Sequence, residues 1–205
     1  MKSQSTEKKY MPEMPQKEID ELYNSIKSAS MKIMADNIAR MKKTFPNRPE
    51  AMQYFDEISN FFGQRQQEIL AEKAKGKKVI GYFCMFAPIE LILAADAIPV
   101  RVSSGWYDTS KLGDRIVPVE VCPVIRSTIG AKMIGLSPYL EMSDAIISTL
   151  TCDGMTKLSE IMSDTKQVIT MSPPRVKDSA QSLHLWNEEI KAAKKQIEDL
   201  TGNKI

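Results

Sequence analysis

Cys84 and Cys152 each follow an apolar run and Cys122 stands just ahead of an expected helix, and thiols in such positions have few uses. Cys84 ends Val79-Ile80-Gly81-Tyr82-Phe83-Cys84 and Cys122 opens Cys122-Pro123-Val124-Ile125-Arg126-Ser127. Cys152 follows Ala145-Ile146-Ile147-Ser148-Thr149-Leu150-Thr151. Such a thiol can pack as a small hydrophobe, or as a thiolate it can hold a metal or cluster. A disulfide scaffold is excluded, because three cysteines are an odd number and widely separated. Zinc is disfavoured, because nothing here has the spacing of Cys-x-x-Cys pairs. Pro123 pushes Cys122 into extended backbone and places its thiol at a helix start, where the thiolate is favoured. At Cys152 the bland reading is that Asp153 simply caps the next helix.

The elements that must position these thiols alternate. Strands are expected over Val79–Phe83, Ile98–Val102, Ala145–Leu150 and Gln167–Met171. Helices are expected over Pro88–Asp96, Pro123–Ile134, Asp153–Met162 and Asp178–Leu200, with Ser103–Asp114 as a loop. Strands alternating with helices imply βαβ units and a parallel sheet. In a parallel sheet the three thiols fall at one edge, the edge where open α/β sheets bind ligands. Ahead of this domain, Ile19, Leu22, Tyr23, Ile26, Ile33 and Met34 recur at helical spacing. Phe45-Pro46-Asn47-Arg48-Pro49 breaks the pattern, and a second helix is expected from Pro49 to Lys75. Gly76 stands where a helix would end, among Lys73, Lys75, Lys77 and Lys78. The expected organisation is a flexible arm over 1–16, a helical pair over 17–76 and an α/β domain over 77–205 that carries the three thiols and is cluster-binding if they hold a cluster rather than pack as structural residues. The fold class is α/β, a parallel-sheet, Rossmann-like domain behind an N-terminal helical pair.

Composition narrows the chemistry. The chain has 205 residues, 42% apolar and 26% charged, with net charge +2. That balance gives no case for nucleic acid. No apolar run approaches the roughly 18 residues of a membrane span, and Met1–Lys9 lacks the apolar core of a signal peptide. A cytoplasmic protein is expected. His184 is the only histidine, so chemistry needing several imidazoles is excluded, and its place beside Leu183, Leu185 and Trp186 reads as packing or surface. The 13 methionines read as core filler. No Gly-x-Gly-x-x-Gly or Walker A pattern occurs. Glu90 suits the first turn of its helix. Arg126 and Ser127 face either a ligand or solvent, and Ser103-Ser104-Gly105-Trp106 suits a small-residue pocket wall.

Gly81-Tyr82-Phe83-Cys84 with Pro88-Ile89-Glu90-Leu91-Ile92-Leu93-Ala94-Ala95-Asp96-Ala97-Ile98-Pro99-Val100-Arg101 resembles the 2-hydroxyacyl-CoA dehydratase D-component family. That family also takes in benzoyl-CoA reductase subunits and double-cubane cluster proteins. Val121-Cys122-Pro123-Val124-Ile125-Arg126-Ser127-Thr128-Ile129-Gly130 is similar to its second cysteine motif, and Thr151-Cys152-Asp153-Gly154-Met155-Thr156-Lys157-Leu158 to a third shared segment. The resemblance runs from about Gln16 to the end. It implies a low-potential iron–sulfur protein of anaerobic metabolism, with Cys84 and Cys122 as cluster ligands and Cys152 as a third ligand or a residue lining the site. The cluster implied is [4Fe-4S] or a double cubane; three thiols cannot complete two cubanes, so the latter needs ligands from elsewhere. An ATP-dependent activator iron–sulfur protein would donate the electron, and an acyl-CoA would receive it, its ketyl radical expelling hydroxide. Family members usually carry a second α/β domain. This chain stops at Asp199-Leu200-Thr201-Gly202-Asn203-Lys204-Ile205, which implies that a second subunit or a missing C-terminal domain completes the site. Ile89 stands where the family often has an acid. The rival expectations are a double-cubane reductase of small molecules, a non-catalytic electron-transfer or assembly subunit, and a cluster-free α/β domain with structural cysteines.

Overall fold

A computed structural model describes residues 10–58 and 62–205. Four strands, β1 (Val79–Phe83), β2 (Ile98–Arg101), β3 (Ala145–Thr149) and β4 (Gln167–Met171), form one all-parallel sheet in the order β2-β1-β3-β4. Parallel neighbours need crossovers. Helix α4 (Ile89–Ala94) carries β1 to β2, and α5 (Tyr107–Gly113), α6 (Pro123–Met133) and α7 (Pro138–Met142) lead from β2 to β3. Helix α8 (Asp153–Met162) joins β3 to β4, and α9 (Ala180–Thr201) follows. All five residues of β3 are buried, as an apolar run covered on both faces must be. One face packs Val79, Phe83, Val100 and Ile146 against Ile125 and Ile129 of α6 and Leu158 and Ile161 of α8. The other packs Ile80, Ile147, Ile169 and Met171 against Ile92 of α4 and Ala193 and Ile197 of α9. The chain therefore leaves β1 toward one face and β3 toward the other. The crevice between those two strand ends is the switch point of a doubly wound, Rossmann-like sheet.

The expected strands are all present, and the helical differences have local causes. Ser103–Asp114, expected as a loop, contains α5, whose Tyr107-Asp108-Thr109-Ser110-Lys111-Leu112-Gly113 lacks an apolar stripe. It is helical because it lies backbone to backbone on α6. A Cβ on Gly130 would sit 1.8 Å from the Thr109 carbonyl oxygen, and one on Gly113 would sit 2.1 Å from that of Arg126. Helix α7 is set by Ser137, whose hydroxyl accepts from the Leu140 N–H at 3.4 Å.

The N-terminal region holds three helices among the described residues, not a pair: α1 (Gln16–Thr44), α2 (Met52–Ile58) and α3 (Gln64–Ala74). The single helix expected from Pro49 to Lys75 is interrupted because Gly63 is extended (φ −101°, ψ −150°) and starts α3 afresh. Gly76, at φ +98°, ends it as expected. The flexible arm expected over 1–16 does not hold for its last residues; Met1–Lys9 lie outside the described ones. Met11 is buried against the α8 side of the sheet, and the Tyr10 N–H donates to Asp164 Oδ2 at 2.6 Å. Packing of Tyr10, Met11 and Met14 and the Tyr10–Asp164 hydrogen bond together hold this short stretch to the domain.

Asp144 ties the sheet to α3 at the edge opposite the thiols. Its carboxylate accepts from Lys73 Nζ at 2.8 Å and from the Val79 N–H at 2.8 Å, while its own N–H donates to the Val79 carbonyl at 2.7 Å. Burial pushes the Asp144 carboxyl up, but the Lys73 hydrogen bond, the Val79 N–H and the charges of Lys73 and Lys78 outweigh it and hold the group below the usual carboxylate range.

Two outcomes are expected. Gly130→Ala costs about 3 kcal/mol or more in urea unfolding, because the methyl meets backbone that cannot yield. Asp144→Ala costs about 2 kcal/mol at neutral pH, the worth of hydrogen bonds to a charged group. The native pKa of Asp144 lies below its unfolded value. This stabilisation is therefore complete above the unfolded value of ~4 and is lost as pH falls through the lower native value. The gap between wild type and variant narrows over that acid range and not at higher pH.

Candidate functional site

Cys84 is the first residue past β1 and has φ +65°, a left-handed backbone that a non-glycine residue adopts at a cost of about 1 kcal/mol or more. The turn surrounds its sulfur with donors. Burial pushes the thiol up, but the Phe86 N–H, the Thr149 hydroxyl, the Met85 N–H and the Thr151 hydroxyl together bring it below the ordinary thiol value. Thr149 is beside it because β1 and β3 pair in the register Phe83↔Ser148, one step before Cys84 and Thr149. Thr149 is fully buried. Its Oγ1 is near enough to bias the thiol toward thiolate, yet among the described residues it makes no hydrogen bond of full geometry.

Cys122 and Cys152 are exposed N-caps of α6 and α8. Pro123 holds Cys122 extended (φ −43°, ψ 128°), and its carbonyl accepts from the Ile125 and Arg126 N–H groups at 3.0 and 3.1 Å. At Cys152 the expected cap is replaced: the thiol itself accepts from the Met155 N–H at 3.4 Å, and Asp153 lies in the first turn. The two helix starts adjoin. A Cβ on Gly154 would lie 2.5 Å from Ile125 Cδ1, 3.8 Å from Val121 Cγ1 and 3.9 Å from Cys152 Sγ. Both helices present their positive ends at this edge. The three thiols share the edge. Among the described residues, however, no three Cys, His, Asp or Glu side chains group closely enough to hold a metal ion by themselves.

A cavity of about 510 Å³ opens beside Cys84, walled by Tyr82, Phe86, Pro88, Arg101 and Trp186, with Glu90 at its rim. Met85 is 87% exposed and Phe86 52%, so the loop after Cys84 offers apolar surface outward. Arg101 makes no ion pair among the described residues. Sequence reasoning passes over Thr149, Thr151, Arg101 and Trp186. The signal available is Thr149-Leu150-Thr151-Cys152, two hydroxyls at a strand end ahead of a thiol.

Other expectations fall away from this edge. Arg126, expected to face ligand or solvent, is tied to Asp114 at 2.5 Å and to the Val121 carbonyl at 2.9 Å. Ser127 is buried, bonded to Thr109 at 2.7 Å and Ser104 at 2.9 Å. Ser103–Trp106 does wall a pocket, but a separate one of about 310 Å³ with Phe62, Ala131 and Leu136. His184 is exposed on α9. No helix among the described residues is long and apolar enough to cross a membrane.

Comparison with known proteins matches residues 84–205 to the family described as 2-hydroxyglutaryl-CoA dehydratase, D-component. YjiM of Escherichia coli (strain K12), provisionally named a dehydratase subunit, is 32% identical over 152 residues, covering 74% of this chain and 39% of that protein. The beta subunit of (R)-2-hydroxyglutaryl-CoA dehydratase from Acidaminococcus fermentans is 28% identical, over 65% of this chain and 35% of its own. One of the subunits of benzoyl-CoA reductase from Thauera aromatica is 27% identical, again over 65% and 35%. The matched region thus spans less than two fifths of the length of each of these relatives.

The donors around Cys84 make a direct expectation. Its alkylation by iodoacetamide, followed by mass spectrometry of its peptide, rises with pH at a lower midpoint in the folded chain than in urea, where an ordinary thiol titrates near ~8.5. A midpoint equal to or above that in urea would mean that the donors do not outweigh the burial of the sulfur.

Proposed function

Because the chain belongs to the 2-hydroxyglutaryl-CoA dehydratase D-component family, we propose that it is the thiolate-bearing α/β part of an iron–sulfur enzyme acting reductively on an acyl-CoA. The observation that carries this reading is the placement of Cys84, Cys122 and Cys152 at the switch-point edge of one parallel sheet. The residues fit an anionic sulfur held by a cluster. Cys84 lies among N–H and O–H donors, a buried hydroxyl beside it lacks a partner, and two helix starts face the same edge. Thiolates are the usual ligands of iron–sulfur clusters. In this reading Cys84 and Cys122 hold the cluster, and Cys152 is its third ligand or lines the site. When bound, a cluster of the [4Fe-4S] or double-cubane type supplies low-potential electrons, taken in turn from an ATP-dependent activator.

The chain's own residues set the rest. Phe86, Trp186 and Pro88 give the Cys84 cavity an apolar wall, which a covering domain or subunit would close to water. Arg101, exposed and without an ion pair among the described residues, can take an anionic group of the substrate. The incomplete donor set and the exposed Met85 and Phe86 favour completion by a second α/β domain or a partner subunit seated over this edge. Exposed apolar surface of this kind commonly marks an interface.

The test is anaerobic purification with the candidate partner, followed by measurement of iron, acid-labile sulfide and the EPR spectrum. Iron and sulfide in cluster stoichiometry, lost in Cys84→Ser and Cys122→Ser, are expected, and Cys152→Ser distinguishes a ligand from a lining residue. Absence of iron from every preparation containing the partner would overturn the reading and leave three structural thiols. In the assembled enzyme, Arg101→Ala raises KM for the acyl-CoA about tenfold or more, as loss of a charged hydrogen bond does, without loss of iron.

A further inference from the structure

Among the described residues, the buried hydroxyls obey one rule with one exception. Ser30, Thr109, Ser110, Thr128, Ser143 and Ser159 each donate to a backbone carbonyl of their own helix or turn. Ser127 donates to Ser104, and Ser148 shares a hydrogen bond of 2.6 Å with the Ser159 hydroxyl. Thr149 Oγ1 alone, among the described residues, is buried and unpartnered. A valine has the same shape and would avoid the cost of a buried unpaired hydroxyl. Its neighbour Ser148, equally buried, is satisfied, so the exception is confined to the one position that adjoins Cys84 across the β1–β3 ladder.

We propose that Thr149 is a positioning residue for the sulfur of Cys84: its hydroxyl donates to that sulfur when the sulfur is bound as a thiolate ligand. This inference rests on the cluster reading above and adds a residue to it. In the chain as described, the hydroxyl lies close to the sulfur without a hydrogen bond of full geometry. In the ligated state the Thr149 and Cys84 side chains turn about χ1 to bring the hydroxyl oxygen and the anionic sulfur into hydrogen-bond geometry, since the register already sets the two residues side by side. Such a donor withdraws electron density from the ligand. It therefore makes the cluster easier to reduce, and it holds the ligand in place, as partners of metal ligands do. Thr151, the other hydroxyl near Cys84, precedes Cys152 in a half-buried position where water can replace it. Thr149 is sealed from water, so nothing substitutes for it.

The experiment compares wild type, Thr149→Val and Thr149→Ser in the full chain purified anaerobically with its partner. The signal followed is the EPR signal that Cys84→Ser removes, so that a partner's own cluster is not counted. Thr149→Val is expected to shift the midpoint potential of that signal to more negative values and to release iron to a chelator about tenfold faster, the size of effect that outer partners of metal ligands have. Thr149→Ser, which restores the hydroxyl, returns both toward wild type. The metal-free Thr149→Val chain should unfold at the same or higher urea concentration than wild type. A lower urea midpoint would mean that the hydroxyl serves the fold, and would overturn the proposal. So would an unchanged potential and iron-release rate in a cluster-bearing Thr149→Val. A wild-type chain that carries no cluster overturns the reading beneath it instead, and the two failures are told apart by the wild-type iron content alone.

Discussion

Parallel pairing of β1 with both β2 and β3 is the constraint from which the rest of the molecule follows. Strands that run the same way end at the same edge, and helices returning between them begin there. Three thiols far apart in the chain thus reach one surface with no local sequence motif to gather them. The pairing also decides which strand ends adjoin. With β1 beside β3 and their connections leaving to opposite faces, Cys84 and Cys152 border the crevice where such sheets bind ligands. Cys122 joins them through the start of α6, packed beside the start of α8 at Gly154.

At that edge the ordinary rules of a folded chain are relaxed. Cys84 takes a left-handed backbone although it is not glycine, and Thr149 is buried without a full partner. Each departure disfavours the folded chain by itself. Together they surround one sulfur with donors that outweigh the effect of its burial. Irregularity of this kind concentrates at functional sites because only function compensates for it.

The remainder of the structure is conservative and holds the edge in place. Gly113 and Gly130 let α5 and α6 meet backbone to backbone, which fixes the helix that carries Cys122. Asp144 joins α3, β1 and β3 at the far end of the sheet, which fixes the register that brings Thr149 beside Cys84. Arg126 and Ser127, polar residues within reach of the site in sequence, turn out to be fasteners between α5 and α6. The side chains of Met85 and Phe86 face outward from the loop at that edge.

The sequence by itself determined the elements whose signals are local. Alternating apolar runs and helix starts placed all four strands and the helices at Pro88, Pro123, Asp153 and Asp178. The cysteine words around Cys84, Cys122 and Cys152 carried the family. Local signals were misleading where a neighbour supplied the stability: α5 has no apolar stripe and is helical only against α6, and Met11 is ordered only because the sheet covers it. Gly63 was legible in principle, but a long apolar period on both sides outweighed a single breaker. Only the tertiary structure could show that Thr149 adjoins Cys84, since that depends on a pairing register between strands more than sixty residues apart. It likewise decided that Arg126 serves packing while Arg101 faces the cavity. Hydrogen-bond satisfaction, burial and charge pairing are properties of neighbours in space, and a chain acquires those neighbours only when the sheet closes.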